Sequence, residues 1–377
     1  MPSVHESDDL PLHRSSDRVV TSESTITGRP LGAGVVVYRR AAEVDAIDEY
    51  SRRLVGALCE SGIATRYVSD GLSSARRQFA HPRWLLLQYN PFSWGHWGIA
   101  PGLLKEAIAV RRQRGVPLAV FVHEAWVEAT DPARSRWRST IMGTYQRAQL
   151  AILLTNADIV MAATEAVARK IGRDAVHVPA GTNVTPLPLT RKDARQRLGL
   201  GDEIVICLFG RDRPSRASMY SKAAISLLAE ALGPTSIKVL NLGHGVADLD
   251  VSRAIPVETP GHLEAGELSV RLLASDILLL PFTDGLSTGR TTLMAALAHG
   301  LPVVGLCGRD TDAVLIGNPE ALTLTPLGDV GAFTSATLEL ASAPDRLRAT
   351  GEAGRELYAK EFDWPVIAQR VQAALMR

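Results

Sequence analysis

The stretch Ala274–Gly308, ASDILLLPFTDGLSTGRTTLMAALAHGLPVVGLCG, leaves this chain few ways to fold. Its apolar run Asp276–Leu280 is short and bounded by turn residues, so it reads as a buried strand. A loop of Pro, Asp, Gly, Ser and Thr follows, then a helix from Gly289 to His299, a Gly-Leu-Pro turn and a second strand, Pro302–Gly305. Such a βαβ unit places its loop at the carboxyl end of a strand, where open α/β sheets hold their ligands. Ser287, Thr288, Gly289, Arg290, Thr291 and Thr292 bring hydroxyls, backbone N–H groups and a guanidinium to the positive end of that helix, a combination suited to an anion. The same residue types also serve as a plain helix cap beside a solvated arginine. The rest of the chain has to decide between the two.

That chain has 377 residues, enough for two domains of about 150–180 residues, each large enough for a real core. Residues 1–30 are polar, Ser-rich and aperiodic and are expected to form a mobile arm or edge extension. From Gly34–Tyr38 onward, strand and helix patterns alternate up to Ala175–Val178, with nearly continuous Val, Ile and Leu in the strands. PAGTNVTPLPLT, Pro179–Thr190, interrupts this rhythm with three prolines and reads as a linker. Alternation resumes at Ile204–Phe209 and runs to an amphipathic C-terminal segment, WPVIAQRVQAALMR. The expectation is an α/β protein of two Rossmann-like doubly wound domains, 31–185 and 186–361, facing each other across a cleft, with a last helix over 362–377.

A net charge of +1 argues against nucleic-acid binding by bulk electrostatics, and the excess of Arg over Lys is spread along the chain as a compositional bias would be. Cys59, Cys207 and Cys307 stand apart without metal-ligand spacing, which suits a reducing compartment. No apolar run reaches the roughly 18 residues of a membrane span, and no basic-then-apolar leader opens the chain. A soluble, cytoplasmic protein without a transmembrane segment is expected, of unspecified oligomeric state.

Several segments together resemble the GT4 type of GT-B glycosyltransferases: Gly210-Arg211 after the first strand of the second domain, Lys222 entering the next helix, ASDILLLPF, and above all ALAHGLPVV. TNADIVMAAT, HVPAGTN and FDWPVIAQRV are similar to the family's late first-domain segment, its pre-linker turn and its returning C-terminal helix. The resemblance covers nearly everything after residue 33. It implies an acceptor-binding first domain, a second domain that binds a nucleoside-diphosphate-sugar, and a last helix that packs back on the first. The implied reaction is sugar transfer with retention to a small-molecule acceptor, needing no metal or other cofactor because basic side chains and helix ends stabilise the departing diphosphate. On the same resemblance, Arg216 and Lys222 clamp the diphosphate, with Arg211 competing for the arginine's role, and Ser287–Thr292 meet it from the other side. His123, at a strand end in VFVHEAW, would face the donor sugar, with Glu124 beside it as a further carboxylate; a His there also serves as a satisfied structural group. Asp284 either accepts from sugar hydroxyls or belongs to an Asp-Gly turn. In YNPFSWGHWG, Trp94, His96 and Trp97 either stack on an acceptor or staple the loop to the core.

Two departures stand out. The family's Gly-rich turn after the first strand is replaced by the acidic Glu43-Val44-Asp45-Ala46-Ile47-Asp48, which repels phosphate and, through Asp45 and Asp48, suits a cationic acceptor such as an amino sugar or aminocyclitol. The family's paired glutamates fall on Ser287 and Ala295. A specialised pathway such as antibiotic or other natural-product assembly fits these departures. So do three rivals: a pseudo-glycosyltransferase, a nucleotide-sugar epimerase, and a non-catalytic homologue that binds a ligand or partner.

Overall fold

The computed structural model describes residues 33–39, 45–79, 82–112, 116–129, 135–172, 174–211, 213–243, 249 and 251–377. The arm 1–30 and Glu43-Val44 of the acidic loop lie outside these residues. The first half contains β1 (Gly34–Val37), α1 (Ala46–Glu60), β2 (Thr65–Val68), α2 (Leu72–Gln78), β3 (Leu85–Tyr89), α3 (Pro91–Trp94), α4 (Pro101–Arg112), β4 (Leu118–Val122), α5 (Arg136–Thr155), β5 (Ile159–Ala162), α6 (Glu165–Ile171) and β6 (Val176–His177). Its second half begins with α7 (Arg191–Arg197), β7 (Ile204–Phe209), α8 (Ser218–Leu232), β8 (Ile237–Leu242), β9 (Val257–Glu258) and α9 (Ala265–Ala274). It continues with β10 (Ile277–Leu280), α10 (Thr291–His299), β11 (Val303–Cys307), α11 (Ala313–Ile316), β12 (Thr323–Pro326), α12 (Val330–Ala341), α13 (Pro344–Glu361) and α14 (Trp364–Leu375).

Two six-stranded sheets result, ordered β2-β1-β3-β4-β5-β6 and β12-β11-β10-β7-β8-β9, and every strand pair in them is parallel. Both are Rossmann-like. Helices cover both faces, which is why strands such as LAVFV and ILLL are apolar without alternation. Strand order reverses between β1 and β3 in the first sheet and between β7 and β10 in the second. A crevice opens at the carboxyl ends of the strands at each of these points.

α1 shows how local signals set an element. Asp45 caps it by accepting from the Ile47 and Asp48 N–H groups at 3.0 and 3.4 Å, and Tyr50, Leu54, Ala57 and Leu58 form the stripe it buries. α10 ends at Gly300, whose φ of +63° is the left-handed conformation glycine adopts freely. Where helices lack an apolar stripe, the sequence pattern does not show them. α7, RKDARQR, buries only Ala194 and is held by a capping box between Thr190 and Asp193.

The two sheets share one continuous core, in which Tyr50, Phe121 and Met161 of the first half join Leu293, Phe362 and Ile367 of the second. α14 crosses back and packs on α1, as the resemblance implied. Trp364 Nε1 donates to Thr182 O at 2.9 Å, and its ring lies 5.2 Å from that of Tyr50. The strand-free connector is held from the other side as well: Arg53 Nη2 donates to Asn183 O at 2.5 Å, and Asn183 Nδ2 donates to Glu49 at 2.8 Å. Trp364→Ala opens a cavity at this junction and orphans the Thr182 carbonyl. It is expected to lower unfolding stability by about 3 kcal/mol in urea titration, with α14 amides losing hydrogen-exchange protection before those of the first sheet.

Candidate functional site

The reversal between β7 and β10 sets the place. Gly210 follows β7 with a φ of +110°, and a Cβ there would come within 2.8 Å of Thr292 Cγ2 in the first turn of α10. A side chain at 210 would therefore push the turn off the helix end. Gly243 follows β8, and a Cβ on it would lie 3.7 Å from Gly210 O. No side chain caps α10, so the N–H groups of its first turn have no side-chain acceptor. Cations gather on the same turn and the helix after it. Arg211 and Arg213 are exposed and Lys222 is half-buried, and none of the three has an ion pair or hydrogen-bond partner among the described residues. A glycine turn, an uncapped helix start and cations without a partner among the described residues are the features an anion site is built from. Arg213 is missing from the expected set, although the run RDRPSR offers it as plainly as Arg211.

Arg216 is placed differently from Arg211. It is buried, with Nη1 donating to Phe209 O at 3.1 Å and Nη2 to Leu279 O at 3.3 Å. Its guanidinium thus ties together the carboxyl ends of β7 and β10. It braces the floor of the crevice.

The hydroxyl-rich loop before α10 also divides. Thr288 is fully buried against the first domain. Its backbone N–H and its hydroxyl both donate to Asp312 Oδ2 at 2.6 Å, and His177 Nε2–H donates to the hydroxyl at 2.8 Å. Asp312 Oδ1 accepts from the Glu165 N–H at 2.9 Å, and Thr288 O accepts from the Ala180 N–H at 2.9 Å. Thr288, expected among the phosphate contacts, is instead the pin between the two domains. Arg290 turns back on its own loop: Nη2 pairs with Asp284 Oδ1 at 2.5 Å, Nε donates to Gly285 O at 3.3 Å, and the guanidinium lies 3.7 Å from the Phe282 ring centroid. Burial lowers its pKa, against the pull of Asp284. Arg290, expected at the phosphates, and Asp284, expected at the donor sugar, are thus paired with each other. Gly289 is exposed, while Ser287, Thr291 and Thr292 are half-buried.

In the first domain the β1/β3 reversal gathers a different set. Tyr38, at the end of β1, donates its hydroxyl to Asp45 Oδ2 at 2.9 Å and lies 2.5 Å from Ser93 Oγ. Asp48 accepts from the Tyr67 hydroxyl at 2.5 Å and from Arg52 Nε at 2.9 Å. Asp45 is thus a helix cap and Asp48 half of an ion pair, so both carboxylates carry structural partners where the sequence suggested a cationic acceptor. Trp94 is buried and donates to Gln88 O at 3.1 Å, which makes it core and no stacking platform. His96 and Trp97 are exposed and stack on each other at 5.8 Å. Trp97 has a φ of +57°, a costly conformation for a bulky residue, held by Gln146 donating to its carbonyl at 2.8 Å. His123 ends β4 with Nε2 2.6 Å from Gln88 Oε1 and its ring stacked 4.5 Å from Phe121. Desolvation lowers its pKa to about 3, so the imidazole is neutral. Glu124 beside it is exposed. Among the described residues no three His, Cys, Asp or Glu side chains come together as a metal ion would require.

No family model matches the chain. An alignment of 215 positions that covers 53% of this chain is 28% identical to the GDP-mannose-dependent alpha-(1-6)-phosphatidylinositol monomannoside mannosyltransferase of Mycolicibacterium smegmatis. The matched stretch spans about half of that relative's length, 55%. Among solved structures, sucrose-phosphate synthase from Thermosynechococcus elongatus superposes with a TM-score of 0.65 at 18% identity, covering 91% of this chain and 98% of that one. Anabaena HepE in complex with UDP and glucose gives 0.62 at 13%, covering 90% and 98%. The fold is GT-B.

Within the GT-B frame the second departure, at the glutamate positions, takes physical form. Ser287 is half-buried, and Ala295 is packed inside the core. His299, from the ALAHGLPVV segment, donates from Nδ1 to Ala295 O at 2.7 Å and accepts at Nε2 from Ser269 Oγ at 2.9 Å. Burial lowers its pKa to about 4. His123 and His299 therefore both bind their proton less well folded than unfolded. Stability is fully present above about pH 6.5 and declines as pH falls toward 4; urea midpoints between those limits should fall steadily, with a shallower slope in His299→Gln. Thr288→Val keeps the shape and removes the hydroxyl shared by His177 and Asp312. It should cost about 1–3 kcal/mol of stability while leaving nucleotide affinity intact by calorimetry; a phosphate ligand at Thr288 would lose affinity instead.

Proposed function

We propose that the chain is a metal-independent, retaining glycosyltransferase of the GT4 type, taking a sugar from a nucleoside-diphosphate-sugar. The observation that carries this reading is the convergence of the Gly210 turn, the uncapped start of α10 and the uncommitted Arg211, Arg213 and Lys222 where the strand order of the second sheet reverses. A diphosphate gains negative charge as the glycosidic bond breaks, and nearby cations with preset N–H groups neutralise it. The mannosyltransferase relative is named for a GDP-mannose donor and HepE was solved with UDP, which supports a nucleoside diphosphate and leaves the base open.

His123, at the carboxyl end of β4, is a neutral imidazole, suited to hydrogen-bonding a sugar hydroxyl without carrying charge to the reacting centre. Glu124 lies beside it, and the loop with His96 and Trp97 offers an exposed aromatic surface for an acceptor. Neither a small-molecule acceptor nor a role in antibiotic assembly draws further support from the site, because Asp45 and Asp48 are engaged internally. One observation favours a second reading, a donor-binding homologue without transfer: no carboxylate stands at Ser287 or Ala295, and Asp284 is held by Arg290.

A thermal-shift panel separates these readings. UDP, GDP and their sugars are expected to raise the melting temperature through one base preferentially, and Lys222→Ala or the pair Arg211→Ala and Arg213→Ala should abolish the shift while leaving the apo melting temperature unchanged. Slow hydrolysis of the preferred donor supports transfer. Binding without any turnover supports the second reading.

A further inference from the structure

The helix α5 carries an exposed apolar line that nothing in the described structure covers. Trp137, Ile141, Tyr145 and Ile152 are 59, 45, 59 and 44% exposed. With the exposed Ala148 they fall within about 80° of arc at 3.6 residues per turn, a strip about 22 Å long. Large apolar side chains this exposed in one row are an interaction surface, since scattered exposure would not follow the helical period. Charge identifies the occupant. α5 contains Arg136, Arg138 and Arg147, all exposed, and no Asp or Glu. Arg138 lies on one side of the strip by helical phase, Arg136 and Arg147 on the other. Two of these arginines stand in the first turn, where the helix dipole already places positive charge and where Ser135 makes no side-chain cap. Two like charges there are unfavourable unless an anion answers them.

We infer that α5 docks this protein on an anionic lipid bilayer, with the Trp137–Ile152 line entering the interface and the arginines meeting headgroup phosphates. A second copy of the chain would set the same arginine rows against each other across a two-fold axis. An acidic protein partner would seek a pocket for its anchors, and a convex helix offers none. Trp and Tyr with Ile between them, flanked by Arg, are the residue types of an interfacial helix. No helix of the described residues is long and apolar enough to cross a membrane, so the attachment is peripheral. α5 also holds the exposed aromatic loop: Gln146 Nε2 donates to Trp97 O at 2.8 Å, Gln149 Nε2 to Gly98 O at 3.1 Å, and the Ala100 N–H to Gln149 Oε1 at 2.5 Å. A docked α5 therefore holds that loop at a set position relative to the bilayer.

Vesicle co-sedimentation of the full chain tests this without donor or acceptor, so it stands or falls apart from the glycosyltransferase reading. The chain is expected to sediment with vesicles of phosphatidylcholine plus phosphatidylglycerol, to release in high salt, and to ignore phosphatidylcholine alone. The triple variant Trp137→Ser, Ile141→Ser, Tyr145→Ser and, separately, Arg136→Gln, Arg138→Gln, Arg147→Gln should each lower the partition coefficient by about tenfold or more at an unchanged melting temperature. Absence of binding to the mixed vesicles, or equal binding by both variants, overturns the proposal. So does a dimer in sedimentation equilibrium that the serine variant dissociates, which would assign the strip to a second copy.

Discussion

The bond set around Thr288 decides how this molecule can work. A loop of the second domain sets a buried threonine against the carboxyl ends of β5 and β6 of the first, and its hydroxyl relays His177 to Asp312 while the Asp312 carboxylate also gathers backbone N–H groups from both domains. A buried carboxylate is costly unless its lone pairs are answered, so the domains are held together wherever this set is intact. The loop that does the pinning leads directly into α10. Fixing Thr288 consequently fixes where the start of that helix points, and it points at the Gly210 turn.

The second tie, through Trp364, works on the other side of the connector. α14 follows α13 of the second domain but packs on α1 of the first, so the chain crosses between domains twice. With Thr182 bonded to both Trp364 and Tyr358, and Asn183 to both Arg53 and Glu49, the connector is clasped by elements from each end of the sequence. Two crossings and one pin place the carboxyl edges of both sheets about a common cleft. The first-domain crevice brings buried tyrosines, engaged carboxylates and a neutral histidine; the second brings cations.

This arrangement explains what was legible in the sequence. The βαβ unit at Ala274, the alternation in both halves and the return of the last helix were readable because buried parallel strands are apolar throughout and their helices carry a buried stripe. Leu118–Val122, Ile204–Phe209 and Ile237–Leu242 fall where the pattern puts them. The fate of individual polar residues was not readable. Ser287, Thr288 and Arg290 look equivalent as letters, yet one lies half-buried, one crosses to another domain and one folds back on Asp284. Which of these happens depends on Asp312 and His177, well over a hundred residues apart in sequence. Trp94 and Trp97 sit three positions apart in one loop, one in the core and one outside, because Trp97 takes a left-handed backbone conformation that no periodicity encodes.

The division of arginines follows from the same physics. Arg216 and Arg290 are buried, and each is answered within the domain: Arg216 by strand carbonyls, Arg290 by Asp284, Gly285 and the Phe282 ring. Arg211, Arg213 and Lys222 are less buried and unanswered among the described residues. A cation with a satisfied shell gains little from a phosphate, since the new contact replaces an old one. An unanswered cation beside an uncapped helix start gains the whole interaction.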